Sequence, residues 1–282
     1  MSAPDRYAVV GYPVKHSRSP FIHAMFAKQC DQNISYQMME VLPQNLDLDV
    51  KKFFESGGKG LNITVPHKQA VRQSTQFQTP RAELAGAVNT IVLMQDGSLL
   101  GDNTDGVGLL TDLTQNLNMS LQDTRILVLG AGGAARGILA PLLQQAPTEL
   151  VIANRNIQRA DQLVEEFMTL GSLSSVAFAD IEAAPFDMVI NATSASLQGE
   201  MPELPAGIIG ENTLCYDMAY SNGDTVFTRW AKQQGAEQAV LGWGMLVEQA
   251  AESFFLWRGV RPDTKPVLEA LLNPAPKSPL SK

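Results

Sequence analysis

Cysteine is nearly absent: Cys30 and Cys215 are the two in 282 residues, far apart and outside any paired motif. That excludes a disulfide framework, and both are read as reduced, buried thiols. Histidine is as scarce. His16, His23 and His67 lack the spacing of a metal-binding set, so no metal is expected in the chemistry. No apolar run reaches membrane-crossing length, and the polar start from Met1 to Tyr7 has no signal-like apolar core. Positive charge is in deficit, with 21 Lys and Arg against 29 Asp and Glu and a formal net charge of −8. Broad nucleic-acid binding needs the opposite balance. These absences describe a soluble, cytoplasmic protein with neither nucleic acid nor membrane as a partner. An anionic ligand would have to find a local cluster of cations or helix N-termini.

What is present is ordinary globular composition, 45% hydrophobic and 18% charged, in a chain long enough for two cores. Tyr7–Gly11 reads as a buried strand, and Ser19 as the N-cap of a helix with Pro20 at its first position. Residues 60–66 alternate Asn62 and Thr64 against Leu61, Ile63 and Val65, as a half-buried strand does. A further strand over 88–93 turns back at Asp96-Gly97. After Asp105 the pattern changes. A helix with Leu110, Leu113 and Leu117 on one face leads to the apolar strand Arg125–Leu129. Strands over 150–153, 176–178, 187–190 and 213–216 then alternate with helices, which fits a parallel sheet covered on both faces. The expected fold is α/β with two α/β domains: an N-terminal substrate-binding domain over 1–105 and a Rossmann-like cofactor domain over 106–243. A C-terminal helical segment, 244–272, returns to the first domain, and 273–282 is a loose tail.

Two segments carry chemistry. Gly130-Ala131-Gly132-Gly133-Ala134 follows an apolar strand and opens a helix, the context in which small residues let a pyrophosphate rest on a helix N-terminus. The next strand ends in Asn154-Arg155, with Arg159 one helical turn on, where an NAD site places a carboxylate for the ribose 2′-hydroxyl. Guanidinium groups suit a 2′-phosphate, so NADP is preferred. The other is Lys68, just after the 60–66 strand, with Asp105 at the start of the linking helix, where both can reach an interdomain cleft. Gln249 places an amide in a stripe with Leu246, Ala250, Ser253 and Trp257, and a buried amide needs partners.

Taken together, His16-Ser-Arg-Ser-Pro20, Asn62-Ile-Thr-Val-Pro-His-Lys68, Gly86-Ala-Val-Asn-Thr90, Gly101-Asp-Asn-Thr-Asp-Gly106, Gly130–Ala134, Asn191-Ala-Thr-Ser194, Tyr216-Asp-Met-Ala-Tyr220 and Gly242–Gln249 closely resemble the shikimate dehydrogenase family over nearly the whole chain. The resemblance implies reversible, NADPH-dependent reduction of 3-dehydroshikimate to shikimate, on the way to chorismate and the aromatic amino acids, by a monomer or homodimer. It implies Ser17 and Ser19 on the substrate carboxylate, with Thr64, Asn89, Asp105, Tyr220 and Gln249 completing the substrate pocket. Lys68 and Asp105 are the implied catalytic pair, handling the hydroxyl proton as one unit. Gly130, Ala131, Gly132, Gly133 and Ala134 would cradle the pyrophosphate. Asn154, Arg155, Asn156 and Arg159 would hold the 2′-phosphate, and Met218 and Gly242 would border the nicotinamide. Three departures stand out: Asn156 where Thr is usual, Pro80 where an acidic residue is common, and Ala195-Ser196 where Ser-Gly is common. The rivals are an NAD-preferring or dual-cofactor quinate/shikimate dehydrogenase, a methylenetetrahydrofolate dehydrogenase-like enzyme and a non-catalytic NADP-binding paralogue. Arg155 and Arg159, the Ser17-Arg-Ser19 site and the retention of both Lys68 and Asp105 speak against them in turn.

Overall fold

Apolar strands and the helices that cover them sort the chain into two six-stranded sheets, in a computed structural model that describes residues 3–193, 195 and 199–273. The first sheet is built from β1 (Asp5–Gly11), β2 (Ile34–Glu40), β3 (Gly58–Ile63), β4 (Phe77–Gln78), β5 (Thr90–Leu93) and β6 (Leu99–Asp102). Their order is β2-β1-β3-β5-β6-β4. β1 runs parallel to β2 and β3, whereas β5 is antiparallel to both β3 and β6. The β5–β6 hairpin turns where expected: Gly97 takes φ +87°, and the Asp96 carboxylate accepts from Ser98 N at 2.9 Å. Helices α1 (Ser19–Gln29), α2 (Leu46–Glu55) and α3 (Pro80–Ala85) complete this half before α4 (Asp105–Thr111) leaves it.

The second sheet is wholly parallel. β7 (Arg125–Leu129), β8 (Glu149–Asn154), β9 (Leu173–Ala177), β10 (Phe186–Asn191), β11 (Ile209–Asp217) and β12 (Gln238–Leu241) lie in the order β12-β11-β10-β7-β8-β9. Helices α5 (Gly133–Leu143), α6 (Ile157–Phe167) and α7 (Val226–Gln233) cover it. Ile126 to Leu129 are fully buried, as a central strand packed on both faces requires. The strand order reverses between β7 and β10, the switch point at which such sheets receive a dinucleotide. The chain then returns through α8 (Trp243–Arg258) and α9 (Lys265–Leu272). Val247, Ala250 and Phe254 of α8 and Val267 of α9 share a core with Ile22 and Phe26 of α1, while Met245 joins the core of the second sheet.

Local expectations changed at several ends. Ser19 is the first helical residue rather than the cap; Arg18 takes the cap position without a side-chain bond, because Ser17 Oγ turns back to accept from Ser19 N at 3.2 Å. β3 stops at Ile63, and Val65, expected to be inward, is 68% exposed. Pro66 cannot donate to the ladder, so the strand gives out ahead of it. The 88–93 strand starts only at Thr90, since Val88 N bonds Lys68 O and Asn89 N bonds Asp102 O. β9 ends at Ala177, and Phe178 opens a short turn. Leu113 is buried and Leu110 and Leu117 are half-buried, but α4 ends at Thr111 and widens into a π turn over Asp112–Asn116. The tail beyond Asn273, expected to be loose, lies outside the described residues, as does Ser194. No helix of the described residues is long and apolar enough to cross a membrane.

His23 is the unusual core residue. It is fully buried on α1, stacked on Tyr36 at 4.2 Å and edge-on to Phe26, and neither ring nitrogen has a hydrogen-bond partner. Burial pushes its pKa from the ordinary 6.5 down to about 3, so the folded protein holds it neutral. Below pH 6.5 the unfolded chain gains a proton that the folded chain refuses. Stability is therefore drawn down as pH falls, by about 1.4 kcal/mol per pH unit, until the folded value near 3 is reached. His23→Phe should shrink the loss of stability between pH 6 and pH 4 by about 2 kcal/mol, read from urea midpoints at each pH. An unchanged pH slope would contradict the neutral, buried assignment.

Candidate active site

α4, which carries the chain from the first sheet to the second, and α8, which follows the last strand, touch through backbone at Gly108. A Cβ built there would lie 2.7 Å from Cβ of Gln249 and 2.8 Å from both Gln249 N and Met245 O. A second close approach lies at the start of α8. Asp112 accepts from Met245 N at 3.1 Å and from the Tyr216 hydroxyl at 2.6 Å, in space that any side chain at Gly244 would occupy. Burial raises the Asp112 carboxyl and pushes the Tyr216 phenol well above its usual range. Both helices are thus fixed to each other and to β11.

Four side chains meet where these helices pass the first sheet. Lys68, just beyond β3, donates to Asp105 Oδ2 at 2.6 Å. Asn89, just before β5, donates to Asp105 Oδ1 at 2.8 Å, and its amide lies 3.4 Å from Gln249 Oε1 on α8. The Lys68 side chain is 22% exposed and that of Asp105 only 6%, so the ammonium faces the opening and the carboxylate forms the floor. Thr104 is the α4 cap position and Asp105 its first helical residue, with Asp105 N bonded to Asn103 Oδ1. Beneath them Ser253 bonds Asn62, Thr90 and the Gln249 carbonyl, all within 3.0 Å. To one side, Asp102 accepts two 2.6 Å bonds from Arg81, one from Thr79 Oγ1 and one from Asn103 N. Burial opposes its charge, but these donors outweigh burial and hold its carboxyl below the usual range.

Ser17 and Tyr220 line one cavity of about 400 Å³, together with Arg18 and Trp243, so residues from both halves face the same space. Tyr220 leans on Trp243 at 4.9 Å. Ser19 is buried beside Tyr36, whose phenol donates to Asn62 Oδ1 at 2.7 Å. Thr64 sits at the end of β3 with its methyl against Gly11, outside the hydrogen-bonded cluster around Asp105.

The dinucleotide residues gather at the switch point. Gly130 takes φ +104° and packs on Thr193, while a Cβ at Gly132 or Gly133 would meet nothing within 4 Å. The N-terminus of α5 therefore presents Ala131, Ala134 and bare backbone to open space, a surface that fits a pyrophosphate. Asn154 ends β8 and donates to Asn156 O, and Asn156 caps α6 by accepting from Gln158 N at 3.1 Å. Arg155 and Arg159 are exposed beside it, and no carboxylate stands at the strand end. Met218 and Gly242 are in contact: a Cβ at Gly242 would lie 2.6 Å from Met218 O. Asp217, fully buried, accepts from Asn191 Nδ2, Ala219 N and Thr225 Oγ1 and so fixes the loop that carries Met218 and Tyr220. The sequence reading gave no role to Asp112, Asp217 or Tyr36; a carboxylate opening the loop after a buried strand was the signal available for Asp217.

A six-stranded parallel sheet in dinucleotide order, joined through α4 to a second α/β domain that carries the Lys68–Asp105 pair, defines a two-domain nicotinamide-dependent oxidoreductase. Family comparisons give the particular branch. The model described as shikimate dehydrogenase substrate binding domain matches residues 9–91, that of shikimate / quinate 5-dehydrogenase residues 112–199, and that of the shikimate 5′-dehydrogenase C-terminal domain residues 242–272. The shikimate dehydrogenase (NADP(+)) of Alkalilimnicola ehrlichii is 55% identical, over 95% of this chain and 98% of its own. An Ael1 enzyme from Pseudomonas putida superposes with a TM-score of 0.89 at 44% identity, covering 97% of this chain and 100% of its own. Shikimate 5-dehydrogenase from Thermus thermophilus, solved with NADP(H) and shikimate, gives a TM-score of 0.83 at 34% identity, over 94% and 98% of the two chains. The chain belongs to the shikimate dehydrogenase family.

Because α4 and α8 meet at Gly108, Gly108→Ala must separate them or displace Gln249. The variant should lose about 1–3 kcal/mol of stability in urea unfolding, with Gln249 shifted away from Asn89. Wild-type stability in that variant would show the helix contact to be slack.

Proposed function

We propose that the chain catalyses the reversible, NADP-dependent interconversion of shikimate and 3-dehydroshikimate, a step towards chorismate and the aromatic amino acids, in the cytoplasm. The observation that carries this is the Lys68–Asp105 pair, oriented by Asn89 and packed against the dinucleotide helix α5. Relatives named shikimate dehydrogenase (NADP(+)) and a neighbour solved with NADP(H) and shikimate support the substrate and the cofactor. Residues 1–105, with 244–272 packed on them, take the substrate, and 106–243 take the cofactor.

When bound, the nicotinamide supplies or accepts the hydride. The chain's own residues handle the proton and the position. In the reductive direction the Lys68 ammonium donates a hydrogen bond and then a proton to the carbonyl oxygen as the carbinol C–H bond forms. In the oxidative direction the Lys68–Asp105 unit takes the hydroxyl proton as that bond breaks. Asp105, held by both Lys68 and Asn89, keeps the ammonium aimed at the reacting oxygen. Ser17 and Ser19 hold the carboxylate of the substrate, while Thr64, Tyr220 and Gln249 close around its ring and hydroxyls. The Gly130–Ala134 loop cradles the pyrophosphate, Met218 and Gly242 flank the nicotinamide, and Arg155 and Arg159 pair with the 2′-phosphate beside Asn154 and Asn156.

Purified protein should reduce NADP⁺ with shikimate and turn over far more slowly with NAD⁺, followed by nicotinamide absorbance. Silence with both cofactors in a folded protein would refute the assignment. Lys68→Ala should lower kcat by about 10²–10⁴ with a much smaller change in KM for shikimate, as removal of an acid/base group requires. Replacing Arg155 and Arg159 together by Ala should raise KM for NADP⁺ by roughly ten- to a hundredfold and leave that for NAD⁺ nearly unmoved. Equal effects on both cofactors would remove the arginines from 2′-phosphate recognition.

A further inference from the structure

The cavity on the substrate side holds a guanidinium to which the chemistry above gives no task. Arg18 lies between Ser17 and Ser19, in the cap position of α1, where its side chain makes no capping bond. It lines the cavity of about 400 Å³ with Ser17, Tyr220 and Trp243. Tyr220, on the opposite half of the molecule, is close enough for the Arg18 charge to act on its hydroxyl. Arg18 and Tyr220 thus line the same cavity from the two halves of the molecule. Among the described residues it forms no salt bridge, whereas Arg81, Arg136 and Arg258 are each committed to a carboxylate.

Of the other cations, Lys68 is engaged, and Lys15, which lines the same cavity, is turned mostly to solvent beside Glu40. Lys68 is bonded to Asp105 at 2.6 Å. Lys15 has a 79% exposed side chain and stands 3.9 Å from Glu40. Serine hydroxyls can hydrogen-bond a carboxylate, but they offer the same donors to a neutral carbonyl. Telling an acid from its neutral analogue requires a positive charge that is not already spent, and a chain of net charge −8 supplies no such field from its bulk. We infer that Arg18 is a specificity-determining residue that recognises the negative charge of the substrate's carboxylate and selects the acid over neutral analogues. The inference rests on the shikimate reading above.

The test is steady-state kinetics with shikimate and with its methyl ester, on wild type, Arg18→Met and Arg18→Lys. Arg18→Met should raise KM for shikimate about three- to tenfold, with the loss falling on KM rather than kcat, and leave KM for the ester unmoved. Arg18→Lys should recover most of that loss, because it restores the charge without the fork. Raising the salt to about 0.5 M should weaken the preference of the wild type for the acid and have little effect in Arg18→Met. A purely structural role would move acid and ester together, and that result, or no change in either, overturns the inference while leaving the shikimate assignment standing. A wild-type protein inert towards both compounds overturns the assignment first and the inference with it.

Discussion

Helices α4 and α8 approach so closely at Gly108 that a single added methyl group would overlap Gln249 and the carbonyl of Met245. The geometry of the site follows from this contact. α4 begins with Asp105, and α8 carries Gln249 two turns beyond its start, so the spacing between the helices sets the spacing between the carboxylate and the amide. α4 is the covalent link from the first sheet to the second, and α8 brings the chain back from the last strand of the second onto the first domain. Their separation therefore also fixes where the Gly130 loop stands relative to Lys68. Pro141 illustrates the fit: a proline inside α5 would ordinarily be costly, but here its ring fills the space left by Gly106.

The floor of this junction is polar, which makes it demanding. Asn62, Asn89, Thr90, Thr104, Asp105 and Ser253 are all buried, and each side chain has a hydrogen-bond partner in the network. Such a network costs little when complete and a great deal when one member is missing, since each orphaned group then bears its full desolvation penalty of about 1–3 kcal/mol. The payoff is rigidity. Asn89 receives Thr104 N on its oxygen and points its amide at Asp105, so the amide cannot flip without losing bonds at both ends. A carboxylate held this way offers Lys68 one fixed direction, as the proposed proton transfer requires.

How much of this was legible depended on whether the signal was local. The dinucleotide loop was, because strand, small residues and helix are contiguous, and so was the absence of a carboxylate after β8. Lys68 and Asp105 were expected to meet, but local pattern alone gave no bond between them: they lie 37 positions apart, and their meeting depends on β5 and β6 folding between. β2 escaped notice because, as an edge strand, it alternates weakly and has no fully buried residue. The structural work of Asp112 was invisible for a different reason. Its partners, Tyr216, Asn116 and Met245, come from three elements and include a backbone N–H, which leaves no pattern in sequence. Ser19 and Val65 were misplaced by rules that are sound locally but were overruled by Ser17 turning back and by Pro66 ending the ladder.

Charge is distributed with the same economy. Arg81 is bound to Asp102 and Glu252, Arg136 to Glu166 and to the Ala85 carbonyl, and Arg258 to Asp5, so these guanidiniums brace the fold. Arg136 does so across the domain boundary, from the first turns of α5 to the end of α3. Arg18, Arg155 and Arg159 are instead left exposed and, among the described residues, form no salt bridge. An exposed arginine keeps its hydration, and in an acidic chain the net field favours it, so leaving it unpaired costs little in folding. It is therefore free to be placed for binding.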